Sequence, residues 1–371
     1  MKKLSLSLLL LISNQAFAQN NLIENSSNVC WQNDTIIKGN VSMSKNCQAK
    51  GGVIINEANT HLNCNGGTID LERKTFTGIE IDSKGKPLNN ITIENCNIIN
   101  TKFQGIYIGW KVSDSEKINL VGKDKISLVT PKDISINNTK ILNPGSSGIY
   151  IDDYVNNVTL NNISIIDAPA MAIYFEFHSH HNKLINSKII GNGKGHKREA
   201  ISIDASQNNT IEGNYFDDNP YGTIYLYKNC SEHLGIDTKQ VRRELPSSYN
   251  LISNNKINNT KVGVWVASRQ SINLVNARCG NGYYAEDKYT EDDSEQNTVS
   301  SNLIENSEYG ILVEDDNNKI INNTLINISK EPIRIGTPIR NKYLNKPVIN
   351  TQVGGNQSNS PQTVIYKWGS N

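Results

Sequence analysis

Gly148-Ile149-Tyr150-Ile151-Asp152 is the stretch that decides the fold, because it returns along the chain at intervals of one coil. It recurs as Gly78-Ile79-Glu80-Ile81-Asp82, Gly105-Ile106-Tyr107-Ile108-Gly109, Ala172-Ile173-Tyr174-Phe175-Glu176 and Ala200-Ile201-Ser202-Ile203-Asp204. Later copies are Ile224-Tyr225-Leu226-Tyr227, Gly263-Val264-Trp265-Val266-Ala267, Gly310-Ile311-Leu312-Val313-Glu314 and Pro332-Ile333-Arg334-Ile335-Gly336. Aliphatic residues alternate with variable ones, the period of a half-buried strand. No ten-residue stretch carries the apolar spacing of a helix, which excludes alternating strand–helix units.

A second, Asn-rich strand precedes most copies, as in Ile91-Thr92-Ile93-Glu94-Asn95, Ile134-Ser135-Ile136-Asn137-Asn138 and Val158-Thr159-Leu160-Asn161-Asn162. Asn tolerates left-handed backbone and can hydrogen-bond a copy of itself on the next coil. An inward aliphatic column with an Asn corner predicts an all-β, single-stranded solenoid, a parallel β-helix. Strand starts fall 24, 28 and 23 residues apart from Ile149 to Ile224. Three intervals of 43, 40 and 47 residues hold inserts at 110–132, 228–248 and 268–296, expected on one face. The solenoid is predicted over 53–340, with residues 19–52 and 341–371 capping its ends.

Lys2-Lys3, the apolar run Leu4–Ile12 and Ala16-Phe17-Ala18 have the layout of a secretory signal cut after residue 18. The expected destination is the periplasm or the exterior, with no membrane insertion. Removing that segment leaves 35 basic against 36 acidic residues, no electrostatic footprint for nucleic acid. Six cysteines remain, an even number in an exported chain, and no pair is spaced as C-x-x-C. Coil alignment favours Cys30–Cys47, Cys64–Cys96 and Cys230–Cys279.

Over the region of the repeat the chain resembles the right-handed parallel β-helix superfamily. That group includes pectin lyases, polygalacturonases, alginate and chondroitin lyases, mannuronan epimerases, phage tailspikes and a periplasmic copper-enzyme maturation protein. Fold does not dictate activity within it, so function has to come from the outward residues.

In Ile-Tyr-Ile-Asp the isoleucines point inward, so the tyrosine and the last residue point out. One outward column therefore reads Glu80, Tyr107, Tyr150, Tyr174, Ser202, Tyr225, Trp265, Leu312, Arg334, and its aromatic rings are candidate sugar-stacking surfaces. The other reads Asp82, Gly109, Asp152, Glu176, Asp204, Tyr227, Ala267, Glu314, Gly336. Asp152, Glu176 and Asp204 fall on three consecutive coils. Carboxylates about 5 Å apart repel by roughly 3 kcal/mol at an effective dielectric near 20. Such a stack implies raised pKa values, a bound cation such as Ca²⁺, or basic neighbours. Lys228 and Arg269 follow the column on the next coils, with Arg198 and Glu199 leading into the Asp204 strand. Asp153 and His178 flank the acids, and with Glu314 complete the candidate substrate contacts. Three methionines, none clustered, argue against copper handling.

A lyase acting on an acidic, uronate-containing polysaccharide needs a group to neutralise the substrate carboxylate, a base for the C5 proton and an acid for the leaving oxygen. Arg269 or the acid-bound cation fits the first role, Lys228 or His178 the second, and Tyr225 or Tyr227 the third. The Lys/Arg pair is similar to that of β-helix alginate and chondroitin lyases, although Asp204 stands where those enzymes have a basic residue. Hydrolysis by Asp152 and Asp204, about 9.6 Å apart at two-coil spacing, is the competing chemistry. The Gly-His-Gly and Arg-Ile-Lys of polygalacturonases and the Asp-Pro-His-Asp of mannuronan epimerases are absent from the sequence. A non-catalytic glycan-binding solenoid is the third reading.

Overall fold

The computed structural model describes residues 21–113, 116, 120, 125–229, 245–269, 284–285, 289–290, 292–337, 340, 347–360 and 364–365. The proposed leader and Cys230–Cys279 lie outside them. The described chain is a right-handed parallel β-helix of three faces, and each coil crosses the faces in the same order. One coil runs Ile149–Ile151 on the first face, Asn156–Asn161 on the second and Ser164–Ile166 on the third, before Ile173–Phe175 returns to the first. Successive coils pair parallel and in register, as in Ile149↔Ile173 and Tyr150↔Tyr174. Longer strands such as Lys256–Val266 and Leu303–Val313 run from the third face into the first without a break.

The core is a column of stacked aliphatics. Ile79, Ile106, Ile149, Ile173, Ile201, Ile224, Val264 and Ile311 occupy equivalent places and are all fully buried. Each contributes roughly 2–3 kcal/mol by leaving water. A one-coil-wide core explains how 37% hydrophobic residues suffice for 371.

The Asn corners behave as their side chains demand. Asn95, Asn138, Asn162, Asn186, Asn254 and Asn322 all sit at φ between 48° and 58°, the left-handed region Asn tolerates best after Gly. Asn162 donates its amide to Asn138 at 2.8 Å, and Asn138 to Asn95 at 3.2 Å. A second, buried ladder runs Asn182, Asn209, Asn250, Asn297, Asn318, where each backbone N–H donates to the next Asn Oδ1 at 2.9–3.0 Å. It satisfies main-chain groups that would otherwise be orphaned at the coil corner.

The coils extend further than the repeat suggests. Asn21–Glu24 pairs with Thr35–Lys38, and Thr35–Lys38 with Val53–Ile55, so coil pairing begins before residue 53. At the other end Gln352–Gly354 pairs with Lys319–Ile321 and Val364–Ile365 with Arg334–Ile335. These terminal strands are only two to four residues long, too short to display a period. Disulfides Cys30–Cys47 and Cys64–Cys96 staple the first coils. Among the described residues no helix is long and apolar enough to cross a membrane.

Candidate functional site

The first face carries the candidate residues. Strand pairing stacks Glu80, Tyr107, Tyr150, Tyr174, Ser202, Tyr225, Trp265, Leu312 and Arg334 in one column. Two residues on, the ladder bonds Asp152 N to Ile108 O and Glu176 N to Ile151 O, and Asp204 pairs with Tyr227. Asp152, Glu176 and Asp204 are therefore on consecutive coils.

The two columns are not independent. Tyr107 donates its hydroxyl to Asp152 Oδ2 at 2.5 Å, Tyr150 donates to Glu176, and Tyr174 donates to Asp204 Oδ2 at 2.5 Å. Each tyrosine thus reaches diagonally to the acid one coil further along. The rings stack between these bonds, Tyr107 on Tyr150 at 6.0 Å and Tyr150 on Tyr174 at 5.2 Å between centroids. Burial, and then the neighbouring carboxylates, push all three phenols above their ordinary range, which keeps them protonated donors. Gly109 makes room: a Cβ there would lie 2.3 Å from the Tyr107 hydroxyl oxygen and 2.6 Å from Asp152 Oδ2. Sequence reasoning missed both the diagonal bonds and that glycine.

Burial corrects several expectations. Tyr174, Glu176, His178, Glu199, Asp204, Tyr227, Lys228 and Glu314 are all buried, so solvent reaches little of them. Tyr107, Tyr150, Tyr225 and Trp265 keep part of their surface open. Asp153 is buried and accepts the Trp110 indole N–H at 3.1 Å, a packing role in place of the expected substrate contact. His178 turns its ring edge-on to Tyr154 and Phe177, and its Nε2 accepts the Leu245 N–H at 3.2 Å.

The expected mutual repulsion of the acids is met by hydrogen-bond donors. Besides Tyr174, Asp204 accepts the Asn229 backbone N–H at 2.8 Å and its side-chain amide at 2.9 Å. The carboxylates that come within cation-binding distance of one another among the described residues are Glu295, Asp315 and Asp316, not the expected trio. There the buried Arg340 guanidinium bonds Asp315 at 3.2 Å and Asp316 at 2.8 Å.

The basic residues gather around Tyr227. Its hydroxyl donates to Glu199 Oε1 at 3.0 Å and accepts from Arg198 Nη2 at 2.9 Å. Arg198 also grips Glu199 through Nε and Nη2, and Ser202 donates to the same carboxylate. Burial would raise the Glu199 carboxyl, but Arg198 and Ser202 outweigh it and hold the group below its usual range. The Arg269 guanidinium lies over the Tyr227 ring, 4.9 Å from its centroid. Lys228 Nζ pairs with Asp293 at 2.9 Å. Further along the column, Glu314 bonds Arg334 at 2.9 Å, and burial pushes its carboxyl up to about 7 despite that partner.

Two family models match the sequence, each over less than half of the chain. One is described as a right-handed beta helix region, over residues 109–243, and the other as periplasmic copper-binding protein (NosD), over residues 185–361. No curated protein matches the chain by sequence. Among solved structures, a double mutant of the tailspike protein of E. coli bacteriophage HK620 superposes with a TM-score of 0.55 at 10% identity, covering 92% of this chain. The same tailspike in complex with a pentasaccharide gives 0.53 at 11% identity, again over 92% of this chain. In both cases this chain spans 60% of the tailspike's length. An alginate lyase from Paenibacillus sp. str. FPU-7 gives 0.43 at 12% identity, covering 94% of this chain and 98% of the lyase. Coil register, inward aliphatic columns and both family models agree on the fold, a right-handed parallel β-helix.

Proposed function

We propose that this chain is an exported carbohydrate-active solenoid that cleaves an acidic polysaccharide by β-elimination on its first face. The observation that carries the reading is the pair of guanidiniums converging on Tyr227, Arg198 on its hydroxyl and Arg269 over its ring. Guanidiniums bind carboxylates in a planar, bidentate fashion and would offset the charge that builds on a uronate as its C5 proton leaves. Lys228, the next residue after Tyr227, is the base for that proton, acting as the neutral amine once its ion pair with Asp293 has opened and its own proton has passed to solvent. The C4–O bond then breaks, leaving an unsaturated sugar, and the departing oxygen takes a proton from a phenol. Tyr225, whose ring stays partly open on the first face, is the phenol placed to supply it. The half-buried rings of Tyr107, Tyr150, Tyr225 and Trp265 extend along the same face as a surface for sugar C–H groups. A tailspike of this fold has been solved with a pentasaccharide, which fits a carbohydrate ligand. Two disulfides suit an oxidising compartment.

Hydrolysis by Asp152 and Asp204 is less favoured, because both carboxylates already accept tyrosine hydroxyls and Asp204 is buried. The same burial favours a second reading, a glycan-binding solenoid without catalysis. Copper is not favoured on composition, since three methionines, none clustered, leave few soft donors.

The test is incubation with a panel of acidic polysaccharides, followed by ultraviolet absorbance for unsaturated ends and by a reducing-end assay. A rise in absorbance that is abolished in Lys228→Ala and Arg269→Ala supports elimination. Reducing ends without that absorbance would mean hydrolysis, and retention of a polymer without cleavage would mean a binding module. Full activity in both variants removes the site.

A further inference from the structure

Lys228 and Arg269 sit where two of the long inserts leave the coil, just beyond the strands Ile224–Tyr227 and Lys256–Val266. A backbone N–H at such a point has left the coil-to-coil ladder, and a buried one needs another acceptor. One side chain supplies it twice. Asp292 is fully buried; its Oδ1 accepts the Lys228 N–H at 3.3 Å and its Oδ2 the Arg269 N–H at 2.8 Å. Since Tyr225 pairs with Trp265, these two N–H groups belong to successive coils. Asp292 is in turn held in place by its neighbours. Asp293 pairs with Lys228 Nζ, Ser294 N donates to Asp315 at 2.8 Å, and Glu295 N donates to Ser248 Oγ at 3.1 Å.

We propose that Asp292 is a positioning residue of the site, its carboxylate bridging two coils so that Lys228 and Arg269 are presented side by side on the first face. This rests on the elimination reading for its catalytic consequence, but the bridge itself does not. Burying an ionisable group costs stability unless it is fully bonded, and both oxygens here are spent on main-chain donors at the two insert roots. An apolar group in its place would leave the Lys228 and Arg269 N–H groups without this acceptor at the two insert roots.

Asp292→Asn is the informative change, because it keeps the shape and one acceptor oxygen while turning an N–H pair toward one of the two backbone donors. Hydrogen exchange of the full chain, read peptide by peptide, should rise at least tenfold at Lys228 or Arg269. Protection of the Tyr174–Asp204 coils should stay unchanged. In the polysaccharide assay kcat/KM should drop by about tenfold or more through kcat, and Asp292→Glu should recover part of it. Unchanged exchange at both amides, or a rise spread evenly over all coils, overturns the proposal. If the unsubstituted protein cleaves no acidic polysaccharide, the functional reading fails and the exchange data still decide the bridge.

Discussion

Tyr174 and Asp204 lie on successive coils and are joined by a 2.5 Å hydrogen bond in which the buried phenol donates to the buried carboxylate. Removing the hydroxyl leaves that carboxylate with Asn229 but without its tyrosine. Tyr174→Phe should therefore cost about 1–3 kcal/mol, the range for depriving a buried polar group of a partner. Tyr107→Phe, whose ring is only half-buried, should cost less. Urea unfolding of both variants checks the order; equal losses would mean burial does not set the strength of these bonds.

Gly109→Ala should act on the same ladder from the other side. Its new methyl would meet the Tyr107 hydroxyl and Asp152, so one of them must move. A loss of about 1–3 kcal/mol is expected from the forced repacking. It should be smaller in a Tyr107→Phe background, a non-additivity that a double-mutant cycle measures.

Alkaline pH should loosen the first face. Burial first, then nearby carboxylates, raise the phenols of Tyr107, Tyr150 and Tyr174 above the ordinary value of 10.0. Their stabilisation is complete below that value, and it declines above it because the unfolded phenols ionise while the folded ones stay neutral. Each such tyrosine contributes a loss of about 1.4 kcal/mol per pH unit above 10. Unfolding free energies that stay flat across this range would contradict the burial of the ladder.

Glu314 has the same sign in a lower window. Burial, opposed by Arg334, lifts its carboxyl from 4.5 to about 7. Between those values the folded chain holds a proton that the unfolded chain has lost, so stability falls as pH rises from 4.5 to 7. The loss is about 3 kcal/mol for a shift of this size. Glu314→Gln should remove that part of the slope in denaturation curves taken at several pH values.

Opening Cys64–Cys96 should be costly, since the bridge closes a separation of 32 residues in the first coils. Chain entropy puts the stabilisation at about 4 kcal/mol. Replacing both cysteines by Ala should lower Tm, with hydrogen exchange rising first in coils before residue 100; a uniform rise would mean those coils do not unfold as a local unit.

Much of the solenoid was legible because its information is local and repeated. Ile149-Tyr150-Ile151 and Ile173-Tyr174-Phe175 carry the same alternation, so inward and outward sides follow from the period alone and stacking follows from equivalence. The outward columns, the Asn corners and two disulfides came with that register. The terminal coils escaped because strands such as Gln48–Ala49 and Gln357–Ser358 are too short to display a period.

The site was legible only as a set of addresses. Sequence placed Tyr174, Glu176 and Asp204 in two columns, whereas the tertiary structure joined the columns diagonally, since a tyrosine side chain spans more than the roughly 4.8 Å between coils. Asp292, far along the chain from Lys228, belongs to no repeat, so nothing in the periodicity points to it. Nor does periodicity say which outward residues stay wet: the burial of Asp204 and Tyr227 comes from packing around the coil. Hydrophobic alternation by itself determined the coil, its register and the identity of each outward position. Only tertiary packing decided which of those positions meet solvent, because burial and hydrogen bonding depend on where side chains from distant turns arrive in space.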